Sequence, residues 1–128
     1  MARVVLDSSL LIALSKPSDA HHQTAVNALK DGKNELIISA LSLTEVLIYL
    51  YKISKARPDE YLRDLQKSNI AIEPVSLEIS VLAAEHRAKL ALKVPDAIIS
   101  ATARTLDAVL WTFDKQLAKA TPKALLLK

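Results

Sequence analysis

The chain contains no cysteine and a single glycine, Gly32, in 128 residues. Without thiols there is no disulfide framework and no thiolate metal site. A lone glycine cannot build a P-loop or a G-x-G-x-x-G turn, which need several. Nor is there a G-x-S-x-G elbow, so Ser8 and Ser9 lose their best route to acting as nucleophiles. Aromatic residues make up only 4% of the chain, too few for a base-stacking sheet of the RRM or OB type. The apolar runs "VLIYLY" and "ALLL" are core-sized, far short of the roughly 18 residues of a membrane span. "MARVVLD" does not read as a secretory signal, so the expected location is the cytoplasm, away from any membrane.

What remains is a foldable chain. Its hydrophobic fraction of 51% excludes disorder, and its length suits one domain, 1–128, with a real core. The net charge of +3 is compatible with a polyanionic partner without pointing to one, since the 17 Lys and Arg form no dense block.

Apolar patterning divides the chain into alternating elements. "ARVVLD" (2–7) reads as a buried strand, and "SSLLIALS" (8–15) as a short helix stopped near Pro17. A helix is expected over 18–32, with Ser18 or Asp19 near its start and Gly32 past its end. "ELIIS" (35–39) is strand-like. The stretch 43–55 is helical, with Leu43, Val46, Leu47 and Leu50 spaced i, i+3, i+4, i+7. Pro58 opens a helix over 58–68, and "NIAIEPV" (69–75) is a strand. A longer helix covers 76–92, on which Leu77, Val81, Ala84 and Ala88 share a face. "DAIISATARTL" (96–106) is apolar or small nearly all round and reads as a buried helix. "AVLWT" (108–112) is a strand, "DKQLAKA" a helical turn and "ALLL" (124–127) an edge strand. Strands alternating with helices imply an α/β sandwich with a mainly parallel sheet of four to five strands.

In open parallel sheets, ligand sites lie beyond the carboxyl ends of the strands. Four acids fit that edge: Asp7 ends the first strand, Glu45 follows the second in the first turn of its helix, Asp96 opens the buried helix, and Asp114 lies two residues past "AVLWT". Each has an ordinary structural explanation. Asp7 and Asp114 suit helix N-caps, Glu45 completes the capping box "SLTE", and Asp96 suits a helix dipole. Helix caps, however, need not converge. Carboxylates on one edge repel unless cations or protons intervene. Such a cluster suits a hard cation, Mg²⁺ or Mn²⁺, which activates water for phosphodiester cleavage. The basic charge would then help attract a nucleic-acid backbone.

"VVLDSSLLIAL", "SALSLTEVL", "VPDAIISATA" and "LWTFDKQL" resemble the four acidic motifs of the PIN-domain ribonucleases, over nearly the whole span from Val4 to Leu117. The small size is similar to that of VapC-type toxins of toxin–antitoxin pairs. The resemblance implies a PIN-like three-layer sandwich and a Mg²⁺- or Mn²⁺-dependent endoribonuclease acting on RNA. It assigns Asp7, Glu45, Asp96 and Asp114 to the metal cluster and gives Ser9 and Thr112 supporting roles beside the acids. It also implies a homodimer and an antitoxin partner. Two positions depart from the family pattern: Ser9 stands where Asn is common, and Asp107 where Gly is common before the last motif's strand. Asp tolerates left-handed backbone better than most residues.

Other residues carry weaker signals. His21 and His22 are adjacent on the expected helix, point apart, and read as solvated. Arg87, Lys89 and Lys93, near His86, could meet RNA phosphates or form a solvated face. The main competing function is a catalytically inactive PIN-like module that binds RNA or protein; retention of all four acids counts against it. A receiver domain would leave Glu45 and Asp96 without a role. A haloacid-dehalogenase-type phosphatase wants D-x-D where the chain has "DSS".

Overall fold

The computed structural model describes residues 2–30 and 32–128. Strand β1 (Arg3–Leu6) is four residues long and three of them, Val4, Val5 and Leu6, are buried. It feeds α1 (Ser8–Ser15), then α2 (His22–Ala28), β2 (Glu35–Ser39), α3 (Ala40–Tyr51) and α4 (Ala56–Lys67). The second half runs β3 (Ala71–Glu73), α5 (Leu77–Lys89), α6 (Val94–Thr105), β4 (Val109–Thr112), α7 (Lys115–Ala120) and β5 (Ala124–Leu126). All strand pairings are parallel, in the order β3-β2-β1-β4-β5.

Alternation along β1 builds two cores. Val4 and Leu6 point to one face and pack with Leu10, Ala25, Val46, Leu50 and Leu65, which come from α1 to α4. Val5 points to the other face, beside Ile37 and Leu110, and meets Ile99 and Ala103 of α6 and Leu117 of α7. Helix α5 packs on α6 through Ile79, Ala83, Ala97 and Ala101. Helices therefore cover both faces of the sheet, the three-layer sandwich that the family resemblance implies, built on the parallel sheet that the alternation predicts. Six consecutive or near-consecutive residues of α6, Ala97 and Ile99 to Ala103, are buried, in keeping with its apolar or small composition.

Several expectations are corrected at element ends. The helix placed at 18–32 is shortened to α2. The Asp19 carboxylate accepts the His21 N–H at 2.8 Å, turning the chain locally instead of capping a helix there. Asp31, within that expected helix, lies outside the described residues. Helix α3 starts three residues before the expected position 43, because Ser39 caps it by accepting from Leu41 N–H. Ser42 is thus inside the helix, "SLTE" is not a capping box, and Glu45 sits in the second turn. Pro58 is the third residue of α4 rather than its first. The expected face of α5 is also reversed. Ile79, Ala83 and His86 are buried, whereas Leu77 is 81% and Val81 53% exposed. Asp107 takes φ 51°, the left-handed turn before β4 that its position called for.

His86 has an unusual setting: it is 7% exposed and its Nδ1 has no hydrogen-bond partner among the described residues. Burial, helped by Arg104 and Lys89 and opposed by Glu85, lowers its pKa from the ordinary 6.5. The unfolded chain therefore takes up the proton at higher pH than the folded one. The stability contribution is complete above pH 6.5 and is lost as pH falls through the lowered folded-state value. Thermal unfolding between neutral and mildly acid pH should show the midpoint of wild type falling more steeply than that of His86→Leu. Parallel slopes would remove His86 as the cause.

Candidate active site

Parallel registry aligns the first and last acidic motifs. Leu6 pairs with Trp111, so the next pair in register is Asp7 and Thr112. Both share the face of Val5 and Leu110, the side covered by α6. Thr112 Oγ1 donates to Asp7 Oδ2 at 2.8 Å, and Ser9 Oγ donates to the same oxygen at 2.8 Å. Asp7 Oδ1 accepts from Ser8 N–H at 2.8 Å, capping α1. These bonds fix a carboxylate that is only 6% exposed. The hydroxyls also reach across the crevice. Thr112 Oγ1 accepts from Asp114 N–H at 3.0 Å, and Ser9 Oγ accepts from Phe113 N–H at 3.4 Å. A closed hydrogen-bond circuit thus ties the end of β1 to the turn after β4.

That crevice is where the strand order reverses, since β2 and β3 lie on one side of β1 and β4 and β5 on the other. It is the expected position of a ligand in an open α/β sheet. Asp96 reaches it from α6, which leads into β4 and so begins at the sheet's carboxyl edge. Its pKa is raised from the ordinary carboxylate value, first by burial and then by Asp114, Asp7 and Glu45 in that order, with Lys93 opposing. The four sequence-chosen acids therefore share one electrostatic field. Asp114 caps α7 by accepting from Gln116 and Leu117 N–H at 2.8 and 3.1 Å. The capping explanation is geometrically real for Asp7 and Asp114, and fails for Glu45.

As the side chains stand, no three His, Asp or Glu among the described residues form a ready metal cage. The donor chemistry nonetheless suits a hard cation: four carboxylates, no thiol, and one acid whose charged form is disfavoured by the other three. Of the basic residues singled out from the sequence, Lys93 stands at the N-cap position of α6 and its charge opposes the rise in the Asp96 pKa. Arg87 lines a groove with Val94 and Ala97, and Lys89 is exposed on α5.

Of the two histidines expected to be solvated, His21 is exposed and His22 is half-buried, and each makes a contact the spacing did not signal. His22 Nδ1 lies 2.8 Å from the Ala13 carbonyl oxygen. The His21 ring stacks on Phe113, with centroids 4.3 Å apart and planes at 22°. Sequence reasoning missed this contact, because nothing in local spacing brings residues 21 and 113 together. The only hint is an aromatic residue immediately before an acid at a strand end.

Among known proteins, the PIN domain family model matches residues 4–122. No curated protein matches the chain. Among solved structures, the chain is similar to a toxin–antitoxin complex from Klebsiella pneumoniae, with TM-score 0.81 and 24% identity over 95% of each chain. It is similar to Mycobacterium tuberculosis VapC20, a sarcin–ricin loop cleaving toxin, with TM-score 0.77 and 23% identity over 91% of this chain and 94% of that one. Rickettsia felis VapBC2, bound to a DNA fragment from its promoter, gives TM-score 0.79 and 18% identity over 98% and 99%. At these identities the likeness speaks for the fold.

The hydroxyl of Thr112 has a measurable weight. Thr112→Val keeps shape and removes a buried donor from a carboxylate, a change that costs about 1.5–3 kcal/mol when the acceptor is charged. Urea unfolding should register that loss, and Ser9→Ala, at a half-buried site, should cost less. A Thr112→Val protein as stable as wild type would mean that the bond does not hold the crevice together.

Proposed function

The chain belongs to the PIN-domain family, and on that premise we propose that residues 1–128 form one domain that cleaves RNA endonucleolytically with Mg²⁺ or Mn²⁺. The observation that carries the reading is the pair of bonds by which Thr112 Oγ1 joins the Asp7 carboxylate to the Asp114 backbone at the switch-point crevice, with Asp96 close enough to Asp114, Asp7 and Glu45 for all three to raise its pKa. That supports a common site for the four acids at the edge where a ligand is expected.

Asp7, Asp96, Glu45 and Asp114 are the residues that would hold the ion. Bound there, Mg²⁺ or Mn²⁺ supplies an activated water and neutralises charge on the phosphate oxygens. The protein's own part is positional. Ser9 and Thr112 hold Asp7 Oδ2 in one orientation, and hydroxyls in that role act as supports rather than ligands. Asp7 is buried and Glu45 and Asp96 are half-buried, while Asp114 is exposed and engaged in capping. Magnesium commonly uses one or two carboxylates and keeps several waters, so a complete cage of protein atoms is not required. Lys93, Arg87 and Lys89 are placed to draw the phosphate backbone toward α5 and α6.

The biological setting we infer is that of a cytoplasmic toxin restrained by a cognate antitoxin protein. Solved neighbours in this fold include toxin–antitoxin and VapBC complexes. No described helix is long and apolar enough to cross a membrane. A homodimer fits the exposed apolar residues Leu77 and Val81 on α5, which leave a helix face without a partner inside the chain. An inactive PIN-like binding module is the competing reading, and the convergence of all four acids disfavours it.

Purified protein should cut a mixed cellular RNA pool into discrete fragments with Mg²⁺ or Mn²⁺ and leave it whole in EDTA. Asp7→Asn should fold, because Asn caps a helix about as well as Asp. Its cleavage should fall by more than the roughly 10–100-fold that follows loss of a group supporting a ligand. Mg²⁺ should also raise the melting temperature of wild type and not of Asp7→Asn, since binding to the folded state alone stabilises it. An active Asp7→Asn protein, or a metal-induced shift that survives the substitution, would return Asp7 to a purely capping role.

The dimer has its own test. Leu77→Glu combined with Val81→Glu should convert a dimer to a monomer by light scattering without lowering the melting temperature of the fold. A monomeric wild type would end that part of the reading.

A further inference from the structure

The His21–Phe113 stack lies at the acidic edge and takes no part in holding the carboxylates. Phe113 immediately precedes Asp114, and its N–H donates to Ser9 Oγ, the hydroxyl that in turn donates to Asp7. Its ring is half-buried against the core beneath α1 to α4, which fixes it from behind. His21 lies on it and is itself exposed.

The turn that carries His21 is pinned on both sides. Asp19 N–H donates to the Lys16 carbonyl at 2.9 Å, and His22 N–H donates to the Asp19 carbonyl at 3.0 Å. The Asp19 carboxylate accepts the His21 N–H, and the His22 ring is bonded to the end of α1. An exposed imidazole is therefore held against a phenyl ring that stands between Thr112 and Asp114 at the carboxyl edge of the sheet. If the ring were needed only to cover Phe113, any apolar side chain would serve at this turn. A planar polar ring, exposed and fixed against a residue that adjoins Asp114, has the form of a surface for another planar group. RNA recognition commonly stacks splayed, unpaired bases on aromatic side chains, histidine among them.

We propose that His21, backed by Phe113, is a stacking platform for one unpaired nucleobase that flanks the phosphate seated at the carboxylates. The inference rests on the ribonuclease reading and adds to it one residue that contacts the substrate. It also amends the composition argument: too few aromatics for a stacking sheet still leave enough for one step. Stacking tolerates any base, so the platform selects unpaired structure more than sequence.

The test uses short RNA oligonucleotides carrying 2-aminopurine at successive positions, with Ca²⁺ as the hard cation, and wild type, His21→Ala and His21→Tyr. Stacking should quench the fluorophore at one position with wild type. His21→Ala should abolish that quench and weaken binding by about 5- to 150-fold, the loss expected per stacked base. His21→Tyr should restore both, which a role confined to packing on Phe113 would not require of the quench. In Mg²⁺, His21→Ala should raise KM more than it lowers kcat. Equal quench and affinity for wild type and His21→Ala, or no quench in any variant, would overturn the platform. Wild type that cuts RNA with no dependence on His21 would keep the nuclease and lose the platform. A His21-dependent quench from a chain that cuts no RNA with either metal would keep the platform and lose the nuclease.

Discussion

The bond from Thr112 Oγ1 to Asp7 Oδ2 is the contact on which the rest of the site depends. It exists because β1 and β4 are parallel neighbours in a register that sets Asp7 opposite Thr112. Period-2 alternation then turns both side chains toward α6, the helix that brings Asp96. A slip of one residue in that pairing would send Asp7 to the face packed by α1 to α4, where Leu6 now lies, and bury a carboxylate among aliphatic side chains. Strand register, core composition and acid placement are therefore one constraint. The hydroxyls of Ser9 and Thr112 close it by joining Asp7 to the backbone of Phe113 and Asp114.

Clustering acids works against folding. The raised pKa of Asp96 is the direct sign of that cost, since burial and three neighbouring acids all disfavour its charge. Fold stability is supplied elsewhere, by two cores on opposite faces of the sheet and by the nearly sealed helix α6. Natural chains break local rules mainly at functional sites and compensate for it in their scaffold. The exposed face of α5 is a second break of that kind, with Leu77 and Val81 facing solvent while His86 is buried without a partner for Nδ1 among the described residues.

Much of this architecture is legible from sequence because each strong signal is local. Pattern and length mark "ELIIS" as β2 and "SSLLIALS" as α1, with the observed bounds. The four acids stand out because strand ends and helix starts are visible in the pattern, and parallel sheets bring such ends to one edge. Capping was harder to read. Ser39 and Ser42 both precede apolar helical runs, and only the buried end of β2 decides in favour of Ser39. The face of α5 was illegible for another reason: Leu77–Val81–Ala84–Ala88 and Ile79–Ala83–His86 are both self-consistent stripes. The choice was made by the small residues Ala97 and Ala101 of α6, which accept the close approach of Ala83. The His21–Phe113 stack belongs to neither pattern, because it is a tertiary contact between a turn and a strand end.

The two sides of the crevice differ in rigidity, and this bears on what the site can hold. Asp7 is fixed through both oxygens by the Ser8 N–H and the hydroxyls of Ser9 and Thr112. Asp114 is exposed and commits one oxygen, Oδ1, to the N–H groups of Gln116 and Leu117. A cation with strict octahedral demands is best served by one fixed carboxylate and others free to adjust, directly or through water. The buried carboxylate at the end of β1 is thus the fixed side of the crevice, and the exposed acid beyond β4, with Oδ2 outside its capping bonds, is the side with freedom to move.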